Sequence, residues 1–136
     1  MPPTPYERLG GAEKVRELVD HFYTLMDTLP EAWEVRRLHP ENLDHAREKL
    51  FLFLSGWLGG PALYVERYGH PRLRARHLPF AIGIRERDQW LLCMFQAMED
   101  LGVEKLLALQ LQRSFFMTAD HMRNQPEPDI PSRLEQ

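Results

Sequence analysis

The stretch GHPRLRARHLPFAIGIRERDQW, Gly69 to Trp90, decides how the rest of the chain is read. His70-Pro71 is read as the start of a short helix. Arg72, Arg74 and Arg76 then place three arginines within five residues, His77 follows directly, and Pro79 stands two residues further on. Proline fixes its own φ, lacks an N–H and disfavours helix in the residue before it, so the breakers on both sides predict a short helix carrying His77 near its end. A short apolar passage leads to the charged cluster Arg85 to Asp88, and Trp90 stands at the head of a long apolar helix.

Working outward, apolar residues recur at helical spacing on both sides of this stretch. Toward the N-terminus, Thr4-Pro5-Tyr6-Glu7 is a capping box with proline at the first helical position, ended by Gly10-Gly11. Val15, Leu18, Val19, Phe22, Tyr23, Met26 and Leu29 follow a helical stripe from Ala12 up to Pro30. Glu31 to Leu38 predicts one or two turns of helix, and His39-Pro40-Glu41-Asn42 a corner. Asp44 to Leu58 reads as a helix with Ala46, Leu50, Phe53, Leu54 and Trp57 on one stripe, stopped by Gly59-Gly60-Pro61. Ala62 to Gly69 is a short link, irregular or helical, with Tyr64 and Tyr68. Toward the C-terminus, Arg85 to Leu101 points Trp90, Leu91, Met94, Ala97, Met98 and Leu101 inward, and Gly102 breaks it. Glu104 to Asn124 carries Leu107, Leu111, Phe115, Thr118 and Met122 on one face. No strand is convincing. The class is all-α, with one domain over 1–125 and a polar, proline-rich disordered tail over 126–136.

Composition bounds the function. A chain of 136 residues, 43% apolar and 10% aromatic, is sized for one globular domain with a real core. A net charge of -3 argues against nucleic acid or an anionic membrane as partner. No apolar run approaches the roughly 20 residues of a membrane helix. The start, MPPTPYERLGG, has neither a basic n-region nor an apolar h-region, so no signal peptide is expected. The lone cysteine, Cys93, sits in an apolar helical run as a small core residue and fits a reducing compartment. A cytoplasmic protein is expected.

The bland alternative is a bundle whose stripes pack on one another and bind nothing. Three features weigh against it. No histidine or cysteine pair has zinc-site spacing, but a haem iron needs a single protein ligand, because the porphyrin supplies four nitrogens. His77 has Leu78 and Phe80 beside it for a ring and Arg72, Arg74 and Arg76 for propionates. Tyr23 and Trp90 bring polar tips onto apolar stripes, and such tips need partners when buried, a backbone carbonyl being the commoner one and a bound diatomic ligand the alternative. His39, after the corner, could join them. Phe22, Phe53, Trp57, Phe80, Phe95 and Phe115 suit a cavity wall as well as a core.

The order of these motifs resembles the truncated haemoglobins, and their second group in particular. The residues carrying the resemblance are Leu9-Gly10-Gly11, Phe22-Tyr23, Leu38-His39-Pro40-Glu41, Trp57-Leu58-Gly59-Gly60-Pro61, Gly69-His70-Pro71, Leu73-Arg74-Ala75-Arg76-His77 with Pro79-Phe80, and Glu86 to Leu91. They span about Tyr6 to Met122. The resemblance implies a two-over-two helical sandwich, a shortened globin fold, around one haem b (iron protoporphyrin IX). It implies that His77 is the proximal iron ligand, Tyr23 the distal tyrosine and Trp90 the tryptophan that marks the group. Ala46 falls where other globins often place a distal histidine, leaving the side entrance unobstructed. Leu50 lies over the haem, Phe53 and Leu54 form pocket wall, and Arg76, Lys49 and, more weakly, Tyr64 meet the propionates. His39 departs from the tyrosine or phenylalanine of many relatives and adds a group that titrates near neutral pH.

The expected function is reversible binding of O2, with CO, NO or peroxide as other small ligands, at a five-coordinate histidine-ligated iron. The alternative is a haem oxidoreductase, a nitric oxide dioxygenase or a peroxidase-like enzyme; a dioxygenase would need an external reductase, since the chain carries no flavin or nicotinamide motif. A haem-free helical interaction module is the remote third reading. The chain is expected to be a monomer or a homodimer.

Overall fold

Thr4 starts the first helix as its composition suggests. Its hydroxyl accepts from the Glu7 N–H at 3.2 Å, and the Glu7 carboxylate accepts from the Thr4 N–H at 2.9 Å. The computed structural model describes residues 2–126, and among them every regular element is helical. The order is α1 (Pro5–Leu9), α2 (Ala12–Thr28), a 3₁₀ turn (Pro30–Ala32), α3 (Trp33–Arg36), α4 (Asp44–Trp57), α5 (Leu63–Tyr68), α6 (Leu73–His77), α7 (Ile84–Asp100) and α8 (Lys105–His121). Of the tail expected from 126 onward, all but Pro126 lies outside the described residues.

Four long helices make the architecture. α2 packs on both α4 and α7, and α7 packs on α8, giving the two-over-two sandwich. The α2 stripe is the centre of the core: Val15, Leu18, Val19, Phe22 and Met26 are fully buried, each worth about 1.5–3 kcal/mol against exposure. Facing it, α7 buries Leu91, Cys93, Met94, Ala97 and Met98, and α8 buries Leu107, Leu111 and Phe115. Cys93 is the small core residue expected, its thiol pushed up to about 11 chiefly by burial and further by the charge of Glu31.

The Gly59-Gly60-Pro61 stop does more than end α4. A Cβ on Gly60 would lie 2.5 Å from the Tyr6 ring, so glycine there lets α1 lie against the corner, where the Tyr6 N–H donates to the Leu58 carbonyl at 2.9 Å.

One expected face is only partly closed, and two expectations need correction. The α4 stripe is as expected apolar but only partly closed: Leu54 is buried, Ala46, Leu50, Phe53 and Trp57 are half-buried against the core, and Phe51, Leu52 and Ser55 beside it are covered. The apolar face of α4 therefore has a side that other helices do not close. Leu101 is exposed rather than inward, because it caps α7 just where the chain turns through Gly102, at φ 70°, into α8. The helix carrying His77 starts at Leu73, not at His70-Pro71, after Arg72 adopts a left-handed conformation with φ 48°. It has five residues and none of them is buried.

Candidate functional site

His77 sits half-buried at the C-terminal end of α6. Its Nδ1 lies 2.6 Å from the carbonyl oxygen of Leu73, one helical turn back. A carbonyl can only accept, so Nδ1 carries a proton, and in the neutral ring Nε2 is a lone-pair donor. Among the described residues Nε2 has no hydrogen-bond partner. One ring nitrogen tied to a backbone carbonyl and the other free is the arrangement of a metal-binding histidine, the tie fixing ring plane and basicity.

α2 and the corner after α3 supply a second group. Tyr23 is 5% exposed, and its hydroxyl has no protein partner among the described residues. Burial raises its pKa, against a smaller lowering by Arg47, whose guanidinium lies 5.9 Å from the ring centre, so the phenol stays a neutral donor. Its ring meets Phe22 edge-on at 4.8 Å and His39 at 5.8 Å. His39 is anchored through Nδ1, 3.0 Å from the Val35 carbonyl. Its pKa lies below the ordinary value of 6.5, mainly because burial disfavours the charged ring; Arg36 and His77 push the same way and the Val35 bond opposes them. The lowered pKa favours the neutral ring of His39 at pH 7.

Trp90 joins this group through Phe22. Their ring centres are 5.0 Å apart, and Phe115 flanks Trp90 at 5.7 Å. Phe115 stacks on Trp57 at 4.7 Å, Trp57 neighbours Phe53 at 6.4 Å, and Phe53 meets Tyr64 edge-on at 6.2 Å. A continuous aromatic wall thus runs from α2 through α7 and α8 to the open side of α4 and on to α5. A cleft of about 710 Å³ opens beside it, lined by Phe53, Trp57, Leu73 and Met122 among others.

The model of the family described as "Bacterial-like globin" matches residues 4–124. The chain is 42% identical over 125 residues to the group 2 truncated hemoglobin YjbI of Bacillus subtilis, covering 92% of each sequence. The chain belongs to the group II truncated haemoglobins. Solved structures agree: the cold-adapted truncated haemoglobin of Pseudoalteromonas haloplanktis TAC125 superposes with a TM-score of 0.89 at 44% identity, covering 91% of this chain and 100% of that one. The group II haemoglobin of Agrobacterium tumefaciens gives 0.88 at 46% identity, covering 92% and 97%.

Membership in the truncated haemoglobins implies a haem, and the residues present fit one. The test is the chemistry of the surfaces: an imidazole with Nε2 uncommitted, an apolar face of α4 left half-open, and cations without carboxylate partners at one rim. Arg76 and Lys49 are those cations. Arg76 lies 5.8 Å over the Tyr64 ring and Lys49 5.2 Å over Tyr68, whose rings are themselves 4.9 Å apart. Neither pairs with an acid among the described residues; Arg76 donates through Nε to the Pro71 carbonyl at 2.6 Å, which leaves its two terminal nitrogens and the Lys49 ammonium available to propionates. Tyr64 is 7% exposed beneath them. Phe80 is 43% exposed beyond His77, and Ala46 and Leu50 are half-buried one turn apart on α4.

Arg74 is engaged elsewhere. Its Nη1 donates to the carbonyls of His121 and Arg123, both at 2.8 Å, so it ties α6 to the end of α8 instead of facing a propionate. The reading of the sequence left the Leu73 carbonyl unnamed, although helical geometry puts the i−4 carbonyl within reach of any histidine at a helix end. It also passed over Gln89, whose side chain accepts from the Val35 N–H and donates to Glu34, both at 2.9 Å, holding the His39 corner against α7.

Proposed function

We propose that the protein binds one haem b through Nε2 of His77 and reversibly binds O2 on the face shared by Tyr23, His39 and Trp90. The observation that carries this reading is the 2.6 Å bond from His77 Nδ1 to the Leu73 carbonyl, which commits one ring nitrogen and frees the other. The haem would supply a ferrous iron that binds diatomic gases and shifts electron density onto O2 far more than onto CO. The chain's own residues do the rest. Leu50, Phe53, Leu54 and Phe80 give the ring apolar surface, with Ala46 leaving its side unobstructed; Arg76 and Lys49, with Tyr64, hold its carboxylates. Tyr23 and Trp90 donate to the partly anionic ligand, and neutral His39 borders Tyr23 without adding a second charge. Charge-assisted hydrogen bonds of this kind are worth about 1.5–3 kcal/mol each, so O2 release slows while CO release changes little.

Nothing in the site favours nitric oxide or peroxide turnover over ligand binding. A cytoplasmic setting belongs to the same proposal, and the unpaired, buried Cys93 suits it. Among the described residues no helix is long and apolar enough to cross a membrane.

Visible spectra of the ferric, dithionite-reduced and CO-bound protein test the proposal. A Soret band that shifts on reduction and on CO, and that His77→Ala weakens or alters, is the expected result. Absence of a Soret band after haem supplementation overturns it.

A further inference from the structure

α6 poses a problem that its own sequence does not solve. A five-residue helix has no independent stability, because nucleation costs more than one turn returns. Helices in proteins are held by burying an apolar face, and α6 buries none of its residues. Yet the imidazole it carries is the one group whose position the site cannot do without.

The hold comes from the far end of the chain. The side-chain amide of Asn124, just beyond α8, donates through Nδ2 to the His77 carbonyl at 3.1 Å and to the Phe80 carbonyl at 2.7 Å. Its Oδ1 accepts from the Ile82 N–H at 2.9 Å. The backbone N–H groups of Asn124 and Gln125 both donate to the Ile82 carbonyl, at 2.9 and 3.2 Å. Both donor hydrogens and the acceptor of one amide are thus spent on the turn that follows α6. Arg74 adds two bonds from α6 itself to the carbonyls of His121 and Arg123.

We propose that Asn124 is the positioning residue of the proximal histidine: its amide clasps the 77–82 turn and so sets where the His77 ring stands. The proposal rests on the assignment of His77 as iron ligand. Asn124 touches neither haem nor gas, and acts only through the backbone of the ligand. Only a side-chain amide, that of asparagine or glutamine, offers two donors and an acceptor in this pattern. Aspartate keeps the acceptor for Ile82 but loses both donors, and its charge then faces two carbonyl oxygens. Alanine loses all three bonds.

The test compares Asn124→Ala, Asn124→Asp and Ser55→Ala with the wild type, all haem-loaded. Ser55 is a stability control. It is fully buried, donates to the Pro61 carbonyl at 2.7 Å and lies in α4 away from the proximal turn. The first readout is the iron–histidine stretching band of the ferrous, ligand-free protein by resonance Raman. The second is the rate of haemin transfer to a scavenging apoprotein. The third is hydrogen exchange at the Ile82 amide in the haem-free chain. Both Asn124 variants are expected to shift or broaden the band and to release haemin at least tenfold faster. Ile82 exchange is expected to rise by a similar factor in Asn124→Ala, which loses the acceptor of that N–H, and less in Asn124→Asp, which keeps it. Ser55→Ala is expected to lower unfolding stability with the band unmoved. An unmoved band in both Asn124 variants, or a shift that Ser55→Ala reproduces, overturns the clasp. A wild type with no iron–histidine band overturns the haem assignment and the clasp with it, a failure distinguishable because it precedes any variant.

Discussion

Replacing Tyr23 by phenylalanine removes one oxygen atom and little else. The ring keeps its edge-on contact with Phe22 at 4.8 Å and its place against His39 at 5.8 Å, and no cavity of methyl size opens. Because the hydroxyl has no protein partner, the substitution breaks no hydrogen bond inside the chain. Among the described residues the one enclosed side-chain polar atom without a partner is Arg123 Nε, so the Tyr23 hydroxyl is open to water in the haem-free chain and Tyr23→Phe should match wild-type stability to within about 0.5 kcal/mol. With O2 bound the substitution has a cost. A neutral phenol, kept protonated by burial, loses a charge-assisted bond of about 1.5–3 kcal/mol to the ligand. At 1.4 kcal/mol per factor of ten, O2 release accelerates about ten- to a hundredfold, while CO release changes by less than about threefold. Stopped-flow displacement of O2 by excess CO measures the first quantity and urea unfolding of the apoprotein the second. The pair of results is what discriminates. A tyrosine whose hydroxyl served a backbone carbonyl would give the opposite pattern, a loss of about 1 kcal/mol in stability with O2 release unchanged. That pattern would refute the reasoning.

Trp90→Phe should also speed O2 release, by less than Tyr23→Phe if the phenol is the main donor; equal CO and O2 effects in stopped flow would instead mark it as a packing residue between Phe22 and Phe115. Gly60→Ala should lose about 1–3 kcal/mol in urea unfolding, because its Cβ would stand 2.5 Å from the Tyr6 ring, and an unchanged midpoint would show that α1 yields freely. Asp120 accepts from Arg87 at 2.6 Å and from Arg123 at 3.2 Å, and these bonds hold its carboxyl below the usual 3.8. A depressed folded pKa gives stability that is present above the unfolded value and lost as pH falls through the folded one. Asp120→Asn should therefore flatten the fall in apoprotein stability below about pH 4, and unchanged slopes of urea midpoint against pH would contradict the pairing.

How far the sequence could be read depended on the kind of force involved. The α2 stripe was legible because burial is periodic: Val15, Leu18, Val19, Phe22 and Met26 point one way at helical spacing and end in a packed core. The same periodicity showed an apolar face on α4 but could not say what covers it. A stripe destined for a partner helix and one left half-open, as Leu50, Phe53 and Trp57 are, have the same spacing. The motif around His77 was legible because the breakers and arginines are local. Its tie to Leu73 was not, since every residue offers a carbonyl and nothing in the letter Leu marks this one.

Asn124 lies at the far end of that scale. Its partners His77, Phe80 and Ile82 stand 47, 44 and 42 residues away, and an amide in a polar C-terminal passage reads as a solvated surface residue. A signal existed nonetheless, in α6 rather than in Asn124. A helix kept to a turn or so by Pro71 and Pro79, with arginine at every second position from 72 to 76, has no apolar face to anchor it. When such a segment carries a ligand, its anchor must be polar and must come from elsewhere in the chain. The candidates are then the side chains that can donate twice and accept once, and that narrows the choice to asparagine and glutamine before any coordinates are seen.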